Sequence, residues 1–296
     1  MFSILIPSYN NLDYLKLCIE SIQKNSKYNH QIIVHVQEGS DGSIDYLNSK
    51  NIEYTKSKVN IGASAAFNKA SSLVKNEFIV ISHDDFYYCP KWDVIFEENI
   101  KKYNNNNFIL TGTMVGPENT GHVKFDCGKD INNFDEKRLL DNLNNIKIYD
   151  FQGSTKHPAI LHKSLWDKVN GWSEEFTPAG GDDTDFLVKL WNSGVRVFRG
   201  LGNCSVYHFG SITTRKKDKH LFTYLGSKAN KIFIRKWSMS INFFENNFLK
   251  SGFKKKKLVV DKYDGPLSDP QQDYMFILNK IKFKIYKFYL DILNVK

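Results

Sequence analysis

Phe78-Ile-Val-Ile-Ser-His-Asp-Asp85 is an apolar run that stops at two adjacent carboxylates. A run of this length reads as a buried strand, and it delivers Asp84 and Asp85 to the carboxyl edge of a sheet. Open α/β sheets bind their ligands at that edge. Adjacent carboxylates repel each other, so a site that keeps both ionised holds a cation, and otherwise the two share a proton. Hard cations such as Mg²⁺ take oxygen ligands of this kind and bridge them to substrate phosphates. The plain alternative is a solvated loop carrying two Asp residues, and the rest of the chain must decide.

On both sides of this stretch, strand and helix patterns alternate. Phe2–Ile6 is an apolar run closed by Pro7, a strand with a hard stop. Leu12, Leu15, Ile19 and Ile22 follow at helical spacing, with Asn10 or Asn11 as N-cap. Gln31–Val36 is a second strand, and it runs into the turn Glu38-Gly-Ser-Asp-Gly42. A short helix near Ile44–Asn48 leads to a third strand near Ile52–Thr55, and Asn60-Ile-Gly-Ala-Ser64 opens a helix to about Leu73. This alternation predicts an α/β fold with a doubly wound, mostly parallel sheet and right-handed crossovers. Further on, the spacing predicts a helix over Trp92–Tyr103, a strand over Phe108–Gly112, a polar surface excursion over Asn132–Asn145 and a helix over Asp183–Trp191. Beyond about Leu221 the chain reads as helices, with a lysine run at Lys254–Lys257 and an amphipathic tail at Ile277–Leu293.

The 296 residues, 41% hydrophobic, are enough for one large or two modest domains. No stretch approaches the roughly 20 consecutive apolar residues that cross a bilayer. The first residues lack the basic and apolar regions of a signal peptide. Cys18, Cys89, Cys127 and Cys204 form no Cys-x-x-Cys pair, which points to buried thiols in a reducing, cytoplasmic compartment. Charge divides the chain. Residues 1–214 hold 22 Lys+Arg against 25 Asp+Glu, and residues 215–296 hold 19 against 7. The basic segment calls for an anionic partner: a membrane surface, a polyanionic acceptor or nucleic acid.

Four further features converge on the edge where the Asp pair lies. Pro7-Ser-Tyr-Asn10 closes the first strand, and Glu38-Gly-Ser-Asp-Gly-Ser43 closes the second. Asn60-Ile-Gly62 precedes a helix whose free N–H groups favour a phosphate. Gly180-Gly-Asp-Asp-Thr-Asp185 sets three carboxylates at a helix start, where the helix dipole favours them. Each alone is an ordinary turn or cap; together they outline one cleft.

With these residues the chain resembles the inverting GT-A glycosyltransferases of family 2. The likeness lies in Ile4-Leu-Ile-Pro-Ser-Tyr-Asn10, Glu38-Gly-Ser, Asn60-Ile-Gly-Ala-Ser64, the Asp-x-Asp-like His83-Asp-Asp85, Gly171-Trp-Ser-Glu-Glu-Phe176, Gly180–Asp185 and Val206-Tyr-His-Phe-Gly-Ser211. It spans roughly residues 2–212 and leaves the tail uncovered. The resemblance implies a nucleotide-diphospho-sugar transferase fold: a catalytic domain over 1–214 (donor half about 1–112, acceptor half about 113–214) and a basic, mainly helical extension over 215–296. It also implies a nucleotide-sugar donor, a glycan or lipid-linked acceptor, and Mn²⁺ or Mg²⁺. An imidazole in the shell suits Mn²⁺ better.

By the same resemblance Asp85 and His208 hold the metal, and Asp84 contacts the donor ribose or the metal's water shell. Asp183, with Asp182 close behind, deprotonates the acceptor hydroxyl, a task that suits a carboxylate. Pro7, Tyr9, Glu38, Asn60 and Gly62 line the nucleotide pocket; Trp172 and Gly181 border the acceptor. Structural roles compete at several positions: His208 as a core histidine, Asp185 as a cap or loop tie, Trp172 as a packing anchor. The chain departs from the family pattern at Glu38, where Asp is commoner, and at Ser82-His83, where members commonly carry another Asp. The tail reads either as a helix packed on the catalytic domain or as an amphipathic helix lying on an anionic membrane. Two rivals stand beside sugar transfer. A nucleotidyltransferase shares such a sheet and acidic site. A nucleic-acid-binding protein would use the basic segment, but no known module is present and the cleft is acidic. No Gly-x-Gly-x-x-Gly follows the first strand, which disfavours a dinucleotide-dependent oxidoreductase.

Overall fold

The computed structural model describes residues 1–118, 121–153, 157–177, 180–210, 219–254 and 257–292. Chain order runs β1 (Ser3–Tyr9), α1 (Leu12–Asn25), β2 (Gln31–Gln37), α2 (Ser43–Ser49), β3 (Glu53–Ser57), α3 (Ala63–Ser71), β4 (Phe78–Ile81), β5 (Phe86–Tyr88), α4 (Trp92–Ile100) and β6 (Phe108–Gly116). Then come β7 (Val123–Lys124), α5 (Glu136–Asp141), β8 (Phe151–Gln152), β9 (Ala159–His162), α6 (Lys163–Lys168), α7 (Asp182–Asn192) and β10 (Val197–His208). The extension supplies α8 (Lys219–Trp237), α9 (Ile241–Asn247), β11 (Ser251–Lys254), β12 (Lys257–Val260) and α10 (Tyr274–Ile292).

The main sheet has the order β3-β2-β1-β4-β9-β6-β10-β5, with β7 on β6 and β8 on β10. The first four strands are parallel, as the alternating sequence predicts. Strand β9 runs antiparallel between β4 and β6, and β10 returns parallel to β6. Period-two alternation divides the strands between two cores. Ile4, Ile6 and Val80 face Leu15, Ile19, Trp92 and Phe96 of α1 and α4. Leu5, Ile79 and Ile81 face Phe67 of α3 and Phe186 and Leu190 of α7. The extension joins that second core through Ala229, Phe233, Phe244 and Leu249.

The structure corrects several local expectations. Pro7 does not end β1, which continues to Tyr9 with Pro7 opposite His35. Leu5 accepts from Ser82 N on the β4 side, and the β1–β4 register ends at Leu5 and Ile81. Pro7 points its donorless nitrogen the same way, past the end of β4, so no ladder bond is lost. Asn11 occupies the N-cap position of α1 without a side-chain cap bond; Asp41 Oδ2 accepts from Leu12 N at 2.8 Å instead. Inside the polar excursion, α5 forms and buries Leu139. The region around the lysine run is not helical: Ser251–Lys254 pairs antiparallel with Lys257–Val260. Lys255, Lys256, Ser211 and Leu293 lie outside the described residues.

Candidate active site

After β4 the chain turns sharply and comes back as β5, antiparallel to the end of β10, with Phe86 opposite His208. That reversal joins distant parts of the sequence. His208 Nε2 lies 3.2 Å from Asp85 Oδ2, and Phe209 N donates to Asp85 O at 3.4 Å. Asp84 faces the other way, toward β1, where Ser8 Oγ donates to its Oδ2 at 2.8 Å. Both carboxylates are buried. Burial first, and then the Asp85 charge, push Asp84 up to about 7. Among the described residues, no group of three His, Cys, Asp or Glu side chains is placed to hold a metal. Asp85 and His208 meet as a pair, with no third such side chain beside them among the described residues.

His83 stands where family members commonly carry a carboxylate, and it is enclosed by rings. Its centroid is 5.2 Å from Phe86, 4.9 Å from His157 and 6.5 Å from His208. Burial, then the His157 charge, hold its pKa down at about 3, while Asp85 and Asp183 pull the other way. His83 is thus a neutral imidazole within electrostatic reach of both carboxylate pairs.

The ends of β1 and β2 form a second wall. Glu38, at φ +63°, accepts from Tyr9 Oη at 3.3 Å and from Asn10 Nδ2 at 3.0 Å. Asn10 Oδ1 in turn accepts from Gly39 N and Ser40 N, which fixes the turn. Pro7 itself is buried inside β1, two residues short of this wall. Asn60 Oδ1 accepts from Gly62 N at 2.9 Å. Gly62 has φ +82°, and a Cβ there would lie 2.9 Å from Thr177 Cγ2, so both conformation and space call for glycine. No side chain caps α3, and an uncapped helix start favours an anion.

The third wall is the start of α7. Gly181, at φ +80°, starts the helix against Ile241, and Asp182 follows. Asp182 Oδ2 accepts from Ser64 Oγ at 3.0 Å, which ties α7 to the first turn of α3. Burial and the neighbouring Asp183 charge push Asp182 up to about 7. Asp183 is half-buried, more open than Asp182. Asp185 is fully buried and takes up the structural role: its Oδ1 accepts from Trp237 Nε1 at 2.7 Å and Lys236 Nζ at 2.9 Å, binding α8 to α7. Trp172 is buried too, its ring stacked on Phe67 at 5.0 Å and Phe186 at 5.4 Å. Both ring faces are thus packed, while the residue also borders a cavity lined by Trp166, Gly171, Ser173 and Glu174.

No role was legible in sequence for Ser8, Ser64 or His157. Serines signal nothing by type, and only the register of β1 beside β4 and of α3 beside α7 gives them their role. His83 was visible as a departure from the family pattern; its neighbours were not.

The comparisons agree with this architecture. The family described as glycosyl transferase family 2 matches residues 3–157, and the family described as the N-terminal domain of galactosyltransferase matches residues 159–213. An uncharacterized glycosyltransferase of Rickettsia bellii is 34% identical over 119 residues, which are 38% of this chain and 17% of that protein. The chain spans less than a fifth of the length of the curated relatives it matches, 17% and 19%. Among solved structures, residues 1–349 of S. aureus TarS superpose with a TM-score of 0.55 at 12% identity, covering 90% of this chain and 97% of that one. The mannosyltransferase PcManGT from Pyrobaculum calidifontis, in complex with GDP-Man and Mn²⁺, gives a TM-score of 0.52 at 13% identity, covering 79% and 63%. These are likenesses of fold. The family match over residues 3–157 of 296 carries the assignment: the chain belongs to glycosyl transferase family 2.

Proposed function

We propose that the protein is a metal-dependent, inverting glycosyltransferase that moves a sugar from a nucleotide-diphosphate donor to a hydroxyl of a glycan or lipid-linked acceptor. The observation that carries this reading is the approach of His208 Nε2 to 3.2 Å from Asp85 Oδ2 at the edge where β4 delivers both carboxylates. One carboxylate and one imidazole form a donor set that fits a divalent ion, and it favours Mn²⁺ over Mg²⁺. Solved proteins of this fold carry UDP, UDP-GlcNAc or GDP-Man, two of them with Mn²⁺.

In this reading Tyr9, Asn10 and Glu38 grip the nucleoside. The open N-terminus of α3, shaped by Asn60 and Gly62, receives the diphosphate. Asp85 and His208 would hold the metal, and Asp84, which accepts from Ser8 Oγ, would meet the donor ribose. A cation held there would supply charge neutralisation for the departing diphosphate. Neutral His83 adds no charge beside it, so it raises no electrostatic barrier to a cation. Asp183 accepts the proton of the attacking hydroxyl, with the sugar between it and the diphosphate, which yields inversion. Asp182, held by Ser64, positions Asp183. Calorimetric titration of UDP-, GDP-, dTDP- and CMP-sugars with and without Mn²⁺ tests the proposal. Metal-dependent binding of one donor class is expected, and no binding in any condition would end it.

A further inference from the structure

Helix α10 has two apolar faces, and among the described residues only one of them is packed. Phe276, Phe283 and Leu290, seven residues apart, lie on the inner face. There Phe243 meets Phe276 at 5.1 Å and Phe283 at 5.5 Å, and Arg235 pairs with Asp291 at 3.1 Å. The opposite face carries Leu278, Ile281, Ile285, Phe288, Tyr289 and Ile292, with exposures from 40% for Leu278 to 62% for Phe288 and Ile292. At 3.6 residues per turn these six form one continuous stripe along the helix. Lys282 falls on one margin of that stripe and Lys284 on the other, and both are exposed. Large apolar side chains gathered in a single exposed stripe mark an interaction surface.

We infer that this outward face of α10 lies on an anionic lipid surface, its apolar stripe at the level of the headgroups and Lys282 and Lys284 reaching the lipid phosphates from either side. Charge complementarity selects this occupant. Within residues 274–292 the four lysines face a single acidic residue, Asp291, and Arg235 already engages it. The whole segment from 215 carries 19 Lys+Arg against 7 Asp+Glu. A second copy packed face to face would set Lys282 and Lys284 against their own counterparts, whereas anionic headgroups answer both. An apolar stripe bordered by lysines whose stems run alongside it is the pattern of an interfacial helix. Among the described residues no helix is long and apolar enough to cross a membrane, so the contact is with the surface. The inference is independent of the donor site.

Flotation of the full chain with vesicles of phosphatidylcholine plus phosphatidylglycerol, and of phosphatidylcholine alone, tests it. The chain is expected to float with the mixed vesicles, to stay behind with the neutral ones, and to be released by salt. Ile281→Ser/Ile285→Ser/Phe288→Ser and Lys282→Glu/Lys284→Glu should each lower the bound fraction at least about tenfold at unchanged Tm. If the triple variant fails to fold, the lysine reversal carries the test. The inference is overturned if the wild-type chain ignores anionic vesicles or if both variants bind as it does. It is also overturned if the stripe variant instead dissociates a dimer that forms without lipid.

Discussion

Two pairs of adjacent aspartates lie within electrostatic reach of His83, Asp84–Asp85 at the exit of β4 and Asp182–Asp183 at the start of α7. In each pair the first member is buried, bonded by one serine hydroxyl, and pushed up to about 7 by burial and by its neighbour. The second members differ. Asp85 meets an imidazole at 3.2 Å, whereas Asp183 is half-buried. Local chemistry alone does not tell the two pairs apart. The partner brought by a distant strand does, and the proposed division into a cation-binding and a proton-accepting pair rests on it. His208 reaches Asp85 because β5 folds back against β10.

Substitutions at the second members should break the symmetry most. Asp183→Asn is expected to lower kcat about 10²–10⁴-fold, the usual share of a general base, with donor affinity nearly unchanged. Product formation measured beside donor titration checks this, and normal turnover would remove Asp183 from the role. Asp85→Ala should instead act on binding, weakening Mn²⁺-dependent donor affinity about 10–100-fold, with His208→Ala toward the lower end of that range. Titration with Mn²⁺ and with EDTA is the readout. Equal affinity in both conditions for wild type and variant would dissolve the contrast between the pairs.

The two pairs also differ in how readily the sequence discloses them. β4 announces itself, because a four-residue apolar strand ending in charge is a local pattern, and β1 to β4 follow in simple alternation. The second half of the sheet is assembled by long-range pairing. β5 is only three residues long, and β10 passes through Gly200 and Gly202 with a register shift before Ser205, so neither shows a clean period of two. The meeting of Asp85 with His208 follows from that pairing and no spacing encodes it; resemblance to a family supplied it in advance. Trp172 shows where residue type stops deciding. A loop aromatic beside acidic residues reads equally as a packing anchor or an acceptor wall; Phe67 and Phe186 take both its faces, and the residue still borders a cavity.

The smallest expected effect is on stability, and it isolates the first member of the α7 pair. Asp182 has a folded-state pKa of about 7, above the ordinary carboxylate value of 3.8. Between those values the folded chain holds a proton that the unfolded chain has released, so raising the pH through this window removes stability; above about 7 the loss is complete. An amide at this position does not titrate and keeps a group that Ser64 can bond. The Tm difference between Asp182→Asn and wild type, both metal-free, should therefore move in favour of the variant by a few degrees as the pH goes from 4 to 8. Adding Mn²⁺ should raise both proteins alike, since the proposed ion site is the other pair, and should do so less for Asp85→Ala. A Tm difference flat with pH would mean that Asp182 titrates as a solvent-exposed carboxylate does. The pairing with Ser64 would then hold α7 against α3 without tuning a proton, and the likeness between the two aspartate pairs would be one of sequence only.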